Sequence, residues 1–247
     1  MYRPLTLTCV VILCLAAGHQ HSKAQTGRVN QPAVPLGRMH GTWFNARFIE
    51  ELNRSRSLMG AMSKVTSSDP LWVRIDTTAA TSTAVVGYNV NRVDSMPIFK
   101  KVIKGAGQKW VIGNTEQPFW MLADDEIARA YIALTSLDSL DSQPIVLGAL
   151  PSKNPDPLFI LRRMVNNSIL AGKWKRADGK EVRFSNDLVM TVGAESVRYN
   201  MSFERDGAQA RITTTDGQPV SWIVERAGRK LTLRPTKGAP QVLTLLP

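Results

Sequence analysis

Between Val197 and Glu204 apolar and polar residues alternate without a break. Val197, Tyr199, Met201 and Phe203 fall on one side, and Arg198, Asn200, Ser202 and Glu204 on the other. A period of two predicts a strand with one face buried and one face wet. Shorter runs of the same kind predict strands at Gly172–Arg176, Glu181–Ser185, Leu188–Val192, Gln209–Thr215, Val220–Glu225, Lys230–Arg234 and Gln241–Leu245. Asp178-Gly179, Asp206-Gly207 and Asp216-Gly217 separate several of them and suit tight hairpins. The first half reads the same way at Thr42–Asn45, Leu71–Asp76, Thr83–Asn91, Ile98–Ile103, Lys109–Gly113, Phe119–Leu122 and Ile127–Leu134, with Asp69-Pro70, Met96-Pro97 and Gly105-Ala106-Gly107 as punctuation. A spacing near ten residues favours antiparallel meanders, because parallel strands need longer crossovers.

Helical periodicity appears in three places. Phe44, Phe48 and Leu52 recur every fourth residue with Glu50, Glu51 and Arg54 opposite, and Asn45 is placed to cap that helix. A short helix is predicted over Ser57–Lys64. Another is predicted over Leu158–Leu170, with Leu158, Leu161, Val165 and Ile169 on one face. From Ser142 to Pro157 the alternation fails and four prolines enter, so residues 151–157 read as a linker.

The total is about fifteen short strands, more than the eight or so of one small barrel. The expected fold is all-β, in two tandem antiparallel meander barrels with a few short helices. One larger continuous barrel is the alternative. The expected division is residues 1–24, 25–37, 38–150, 151–157 and 158–247.

The first of these segments has the character of an export signal. Arg3 precedes the apolar run Leu5–Ala17, which is shorter than the roughly 20 residues of a membrane-spanning helix. Ser22-Lys23-Ala24 offers small residues for cleavage before Gln25, and a cut after Ala16-Ala17-Gly18 is a rival. A lipid anchor at Cys14 is a further alternative, less suited because Leu13 precedes it where a small residue is usual. Residues 25–37 then read as a flexible leader. The expected location is periplasmic or extracellular.

Both cysteines, Cys9 and Cys14, lie in the signal. The expected mature chain therefore has no disulfide, no thiolate nucleophile and no cysteine-ligated metal. The full chain carries a formal charge of +11. An anionic envelope surface is one expected partner, while the spread of lysines and arginines along many strands, with no single basic block, is better suited to plain solubility.

Gly41-Thr42-Trp43 and Gly172-Lys173-Trp174 each open a meander. This resembles the calycin group, meaning lipocalins and intracellular fatty-acid-binding proteins. The resemblance covers the strand pattern of most of the mature chain, and its detailed likeness is confined to "GTWFNARFIEEL" and "LAGKWKRADGKEVRF". Those two stretches are also similar to uncharacterised exported bacterial proteins with a lipocalin-like domain. It implies that Trp43 and Trp174 close barrel ends, that Gly41 and Gly172 let the backbone pack over them, and that a late arginine lies across the indole. For Trp174 the expected arginine is Arg234. The first unit is more similar to the fatty-acid-binding pattern, in which a helix pair after the first strand forms a lid. In that pattern an Arg-x-Tyr holds a lipid carboxylate, which here implies Arg129 and Tyr131 as ligand-binding residues. Alternation supports the opposite orientation, with Ala128, Ala130, Ile132 and Leu134 inward and Arg129 and Tyr131 in water.

Little else suggests chemistry. His40 is the one histidine beyond the signal region, so no triad or multi-histidine metal site is expected. Asp124-Asp125-Glu126 lacks the ligand spacing of a calcium loop and reads as a turn. No catalytic residue, metal or cofactor is expected, and nucleic acid is not an expected partner. The leading expectation is a non-enzymatic exported protein that binds an apolar or anionic lipid-like small molecule. The alternative is a cavity-less structural or interaction module at the cell envelope.

Overall fold

The computed structural model of the chain describes residues 35–78, 80–88, 92–104, 107–114, 118–124, 131–138, 143–150, 156–204 and 209–247. Residues 1–34, which hold the segment read as an export signal, residues 151–155 of the stretch read as a linker, and Arg129 lie outside the described residues.

The chain forms two closed eight-stranded antiparallel barrels in tandem. The first uses β1 (Gly41–Asn45), β2 (Trp72–Asp76), β3 (Thr83–Gly87), β4 (Val93–Ile103), β5 (Gly107–Gly113), β6 (Pro118–Asp124), β7 (Tyr131–Ser136) and β8 (Ile145–Ala149). The second uses β9 (Gly172–Arg176), β10 (Glu181–Phe184), β11 (Val189–Val192), β12 (Glu195–Glu204), β13 (Gln209–Thr214), β14 (Ser221–Ala227), β15 (Lys230–Pro235) and β16 (Gln241–Leu245). Each is a simple meander whose last strand pairs with its first, β8 on β1 and β16 on β9. Two separate closures exclude one continuous barrel, and both are compatible with a calycin-like fold.

One strand is absent from the sequence reading. Ile145–Ala149 falls in the proline-rich stretch where the alternation breaks, yet it closes the first barrel by pairing with both Tyr131–Leu134 and Trp43–Asn45. Only Leu147 of its five residues is buried, so it carries almost no hydrophobic signature. Met96-Pro97 is not a turn either. It lies inside β4, at the point where that strand changes partner: Val93–Pro97 pair with β3, and Ile98–Ile103 pair with β5. Proline lacks a ladder donor, so it is tolerated at such a boundary. The fourth strand of the second barrel changes partner in the same way, with Glu195–Arg198 on β11 and Tyr199–Glu204 on β13. Strong tilt of the strands relative to the barrel axis requires this shear.

Among the described residues three α-helices accompany the barrels: α1 (Ala46–Ser55), α2 (Leu58–Met62) and α3 (Pro157–Ile169). Their ends follow capping chemistry. The Asn45 side chain accepts from Phe48 N–H at 3.1 Å, Ser57 from Gly60 N–H at 3.2 Å, and Asp156 from Leu158 N–H at 3.0 Å, with Pro157 in the first turn of α3. A 3-10 turn, Leu36–Met39, precedes β1 and buries both Leu36 and Met39, so the end of the stretch read as a leader belongs to the fold.

Two apolar cores result. One fills the first barrel with Trp43, Val73, Ile75, Val86, Ile112, Leu122, Ile132, Leu134 and Leu147, sealed by Leu36 and Met39. The other joins the interior of the second barrel (Trp174, Phe184, Tyr199, Met201, Phe203, Ile212) to α3 and to the buried faces of α1 and α2 (Phe48, Leu52, Leu58, Ala61). Phe44 and Trp72, on strands of the first barrel, belong to this second core. The α1–α2 pair therefore turns its apolar face toward α3 and the second barrel. It does not lie over the interior of the first.

Candidate functional site

Each barrel is closed at the end where its first strand begins. Gly41 and Gly172 adopt φ of 135° and 143°, a region favoured by glycine, and let the chain enter the barrel sharply. Two residues later a buried tryptophan turns its ring N–H back to the carbonyl four residues before it. Trp43 Nε1 donates to Met39 O at 2.9 Å, and Trp174 Nε1 donates to Leu170 O at 2.7 Å. In both cases the acceptor is at the C-terminal end of the preceding helical segment, where a carbonyl is left over.

The arginine across Trp174 is Arg226, not Arg234. Its guanidinium lies 5.1 Å from the indole ring centre and donates to the Ser168 and Ile169 carbonyls at 3.2 and 3.0 Å. Strand register explains the choice. Arg226 pairs with Leu231, whose side chain is in the core, so Arg226 shares the inward face at the barrel end. Arg234 is on the outward face and holds Glu225 at 3.1 Å. Burial lowers the Arg226 pKa, and the charge of Arg56 adds to that effect. The same end of the second barrel is spanned by α3, where Asn166 accepts from the Tyr199 hydroxyl and donates to Ser185 O at 2.9 Å.

Tyr131 is half-buried on β7 between the inward-facing Ile132 and its outer neighbours, and its ring covers Gly148 of β8. Ile132 and Leu134 take the barrel interior. Tyr131 is therefore on the outer wall of the first barrel and does not face the interior, as an anchor for a buried carboxylate would.

The opposite end of the first barrel is open. A cavity of about 670 Å³ enters there, within the range of small-molecule sites. Its floor is apolar: Met96, Trp120, Leu134 and Ile145 come from the inner faces of β4, β6, β7 and β8, and Tyr88 from the end of β3. Its rim is charged. Arg47 at the start of α1 and Lys64 after α2 form one side, and Arg92, Asp94 and Asp138 form the other. The Arg92 guanidinium lies 4.4 Å from the ring centre of Tyr88, with its Nε 3.9 Å from Asp94. Burial raises the Tyr88 phenol pKa, offset in part by the Trp120 ring N–H. Asp69 accepts from Thr66 N–H at 2.7 Å, which folds the 64–69 loop against the mouth. Arg47 bonds the neutral Gln143 at 3.4 Å, and Lys64 makes no ion pair among the described residues.

The residues around this mouth were not singled out by the sequence. They come from the ends of six strands and two loops, and only barrel closure brings them together. The adjacent aromatics Phe119 and Trp120 are the one local hint, because Phe119 stays 43% exposed while Trp120 turns in.

Among the described residues, no group of three or more His, Cys, Asp or Glu side chains is placed to share a metal ion. No helix there is long and apolar enough to cross a membrane. Comparison with protein-family models, with curated proteins and with solved structures gave no match.

Proposed function

We propose that the first barrel is a non-enzymatic binding module for an amphiphilic, lipid-like small molecule with an anionic head, carried by an exported protein. The open cavity with an apolar floor and a rim of mixed charge, on one side of which Arg47 and Lys64 stand, is the observation that supports this reading. An acyl or similar apolar chain would lie along Met96, Trp120, Leu134 and Ile145. Each buried methylene contributes about 0.8 kcal/mol. The head group would remain at the mouth, beside Arg47 and Lys64. A kinship to lipocalins belongs to the same proposal, supported by the paired Gly-x-Trp barrel ends. The second barrel, with its inward side chains packed on each other and on α3, serves as a solid support.

The test is direct. Organic extracts of the purified protein are analysed by mass spectrometry, and a fluorescent fatty acid is titrated into the delipidated protein. Saturable binding that is lost on Leu134→Trp, which fills the floor, is the expected result. An empty extract together with no saturable probe binding overturns the proposal and leaves the cavity-less envelope module as the better reading.

A further inference from the structure

Along the sequence the basic residues are spread over many strands, but closure of the second barrel gathers some of them on one wall. β15, β16, β9 and β10 are consecutive around that barrel. Their inward positions hold Trp174, Val182, Phe184, Leu231, Leu233 and Leu243, all buried. Alternation then sets Lys173, Lys175, Arg183, Lys230 and Arg234 outward, and Glu181 is the one acidic residue on these four strands. The next two strands are balanced, because β13 and β14 place Arg211 and Glu225 outward. The four strands and the turns 177–180 and 236–240 that join them lie wholly within the described residues.

The register brings like charges together. Lys173 is directly opposite Arg183 across β9 and β10, a placement that destabilises a ladder. One row crosses the wall from Lys230 through Thr244 and Lys175 to Glu181. At about 4.8 Å per strand, Lys230 and Lys175 stand roughly 10 Å apart with Thr244 between them. Neutralisation is incomplete. Glu181 is 4.0 Å from Lys173, Glu225 holds Arg234 at 3.1 Å, and Asp178 of the first turn is held by Arg176 at 3.2 Å. Lys175, Arg183 and Lys230 are exposed and make no ion pair among the described residues. Solubility is served by interspersed signs and gains nothing from repulsive neighbours. The wall is also uncovered by the helices, since α2 and α3 meet this barrel at β13 and β12.

Shape and chemistry narrow the partner. A barrel wall is convex, so a flat bilayer meets it only along a narrow line, and Val242 is the one large apolar side chain exposed on these strands. Their aromatic residues, Trp174 and Phe184, are both buried, which leaves no stacking platform for nucleic-acid bases. A flexible chain with a carboxylate on each sugar ring can follow a convex wall. Its carboxylates would meet the lysines and Arg183, and its ring hydroxyls would meet Thr232 and Thr244. We infer that this wall docks the protein on a linear anionic polysaccharide of the uronate class. The inference is independent of the ligand of the first barrel.

Fluorescence anisotropy of a labelled oligouronate, titrated with the full chain at about 0.1 M salt, tests it. Saturable binding is expected, weakening as salt rises, with no binding of a neutral dextran fragment. The triple variant Lys175→Gln, Arg183→Gln, Lys230→Gln should lose about tenfold or more in affinity. The triple variant Lys101→Gln, Lys104→Gln, Lys109→Gln removes the same charge from the first barrel and should stay within about twofold of the parent, because distant charges are screened. Glu181→Gln takes the acidic residue from the wall and should tighten binding about threefold, a gain that misfolding cannot produce. Equal loss in the two triple variants overturns the inference, since overall charge would then do the binding. Unchanged affinity in the wall variant or in Glu181→Gln overturns it too. So does tighter binding to phosphatidylglycerol vesicles or to a DNA oligonucleotide than to the oligouronate at equal concentration of charge.

Discussion

Two arginines on neighbouring strands, Arg226 and Arg234, show how much one step of strand register decides. Arg226 contacts the Trp174 ring and two helix-end carbonyls at once, and its stem is partly enclosed. Removing it leaves those carbonyls short of a donor, so Arg226→Ala should cost about 2–3 kcal/mol in urea unfolding. Arg234→Ala breaks only an exposed pair with Glu225 and should cost less than about 1 kcal/mol. The sequence held both candidates but no means of ranking them. Leu231 and Leu233 mark the buried face of β15, and the inward position of Arg226 on β14 depends on its pairing across to Leu231. Tyr199 supports a second prediction at this scale. Burial raises its phenol pKa well above the usual tyrosine range, while the Asn166 contact offsets this in part. A phenol held neutral in the folded state but free to ionise when unfolded stabilises the fold below about pH 10, its unfolded pKa. Above that pH the unfolded state releases a proton that the folded state keeps, so stability falls. Tyr199→Phe should lower stability at neutral pH, because Asn166 loses its donor, and should flatten the decline seen above about pH 10 in a series of urea titrations.

At the level of elements, Trp72 and Gly87 show why a helix pair that reads as a lid became a wall. Trp72 projects outward from β2 and lies flat over β3, where a Cβ built on Gly87 would approach within 2.1 Å of the indole. This flattened outer surface, with Phe44 beside it, receives α1 and α2. Gly87→Ala should therefore displace the indole and cost about 2–3 kcal/mol or more, measured by thermal unfolding. Gly179→Ala, at a turn with φ of 85° and open space around the Cβ, should cost only about 1 kcal/mol. The amphipathic spacing of Phe44, Phe48 and Leu52 was legible because α1 buries one stripe. Which partner covers that stripe was not, since periodicity says that a face is buried without saying against what. The strands were legible for the same reason wherever one face met a core, as in β12. They became illegible where they did not, as in β8, whose single buried residue leaves no period to read. The cavity mouth was beyond sequence altogether, because its polar rim comes from loop ends that obey no pattern.

For the molecule as a whole, two barrels with two Gly-x-Trp openings suggest two independent units, yet the packing divides the chain differently. The helix that follows β1 sends Phe48 and Leu52 into the same core as Leu161 and Val165 of α3 and the interior of the second barrel. Ser168 on α3 donates to Asn53 on α1 at 2.9 Å, which fixes the two helices to each other. The interior of the first barrel forms its own cluster and does not include Phe48. In energetic terms α1 therefore belongs with the second barrel, although 101 residues of chain separate α1 from α3. Phe48→Ala removes a fully buried ring and should cost about 3–5 kcal/mol. The loss should fall on the second barrel and not on the strands next to Phe48 in sequence. Native-state hydrogen exchange reads this strand by strand. Amides of β12 to β15 should exchange about a hundredfold faster or more in Phe48→Ala, while those of β5 to β7 change far less. Acceleration confined to β1–β8 would mean that each barrel keeps its own stability and that the shared core is only a contact between finished units.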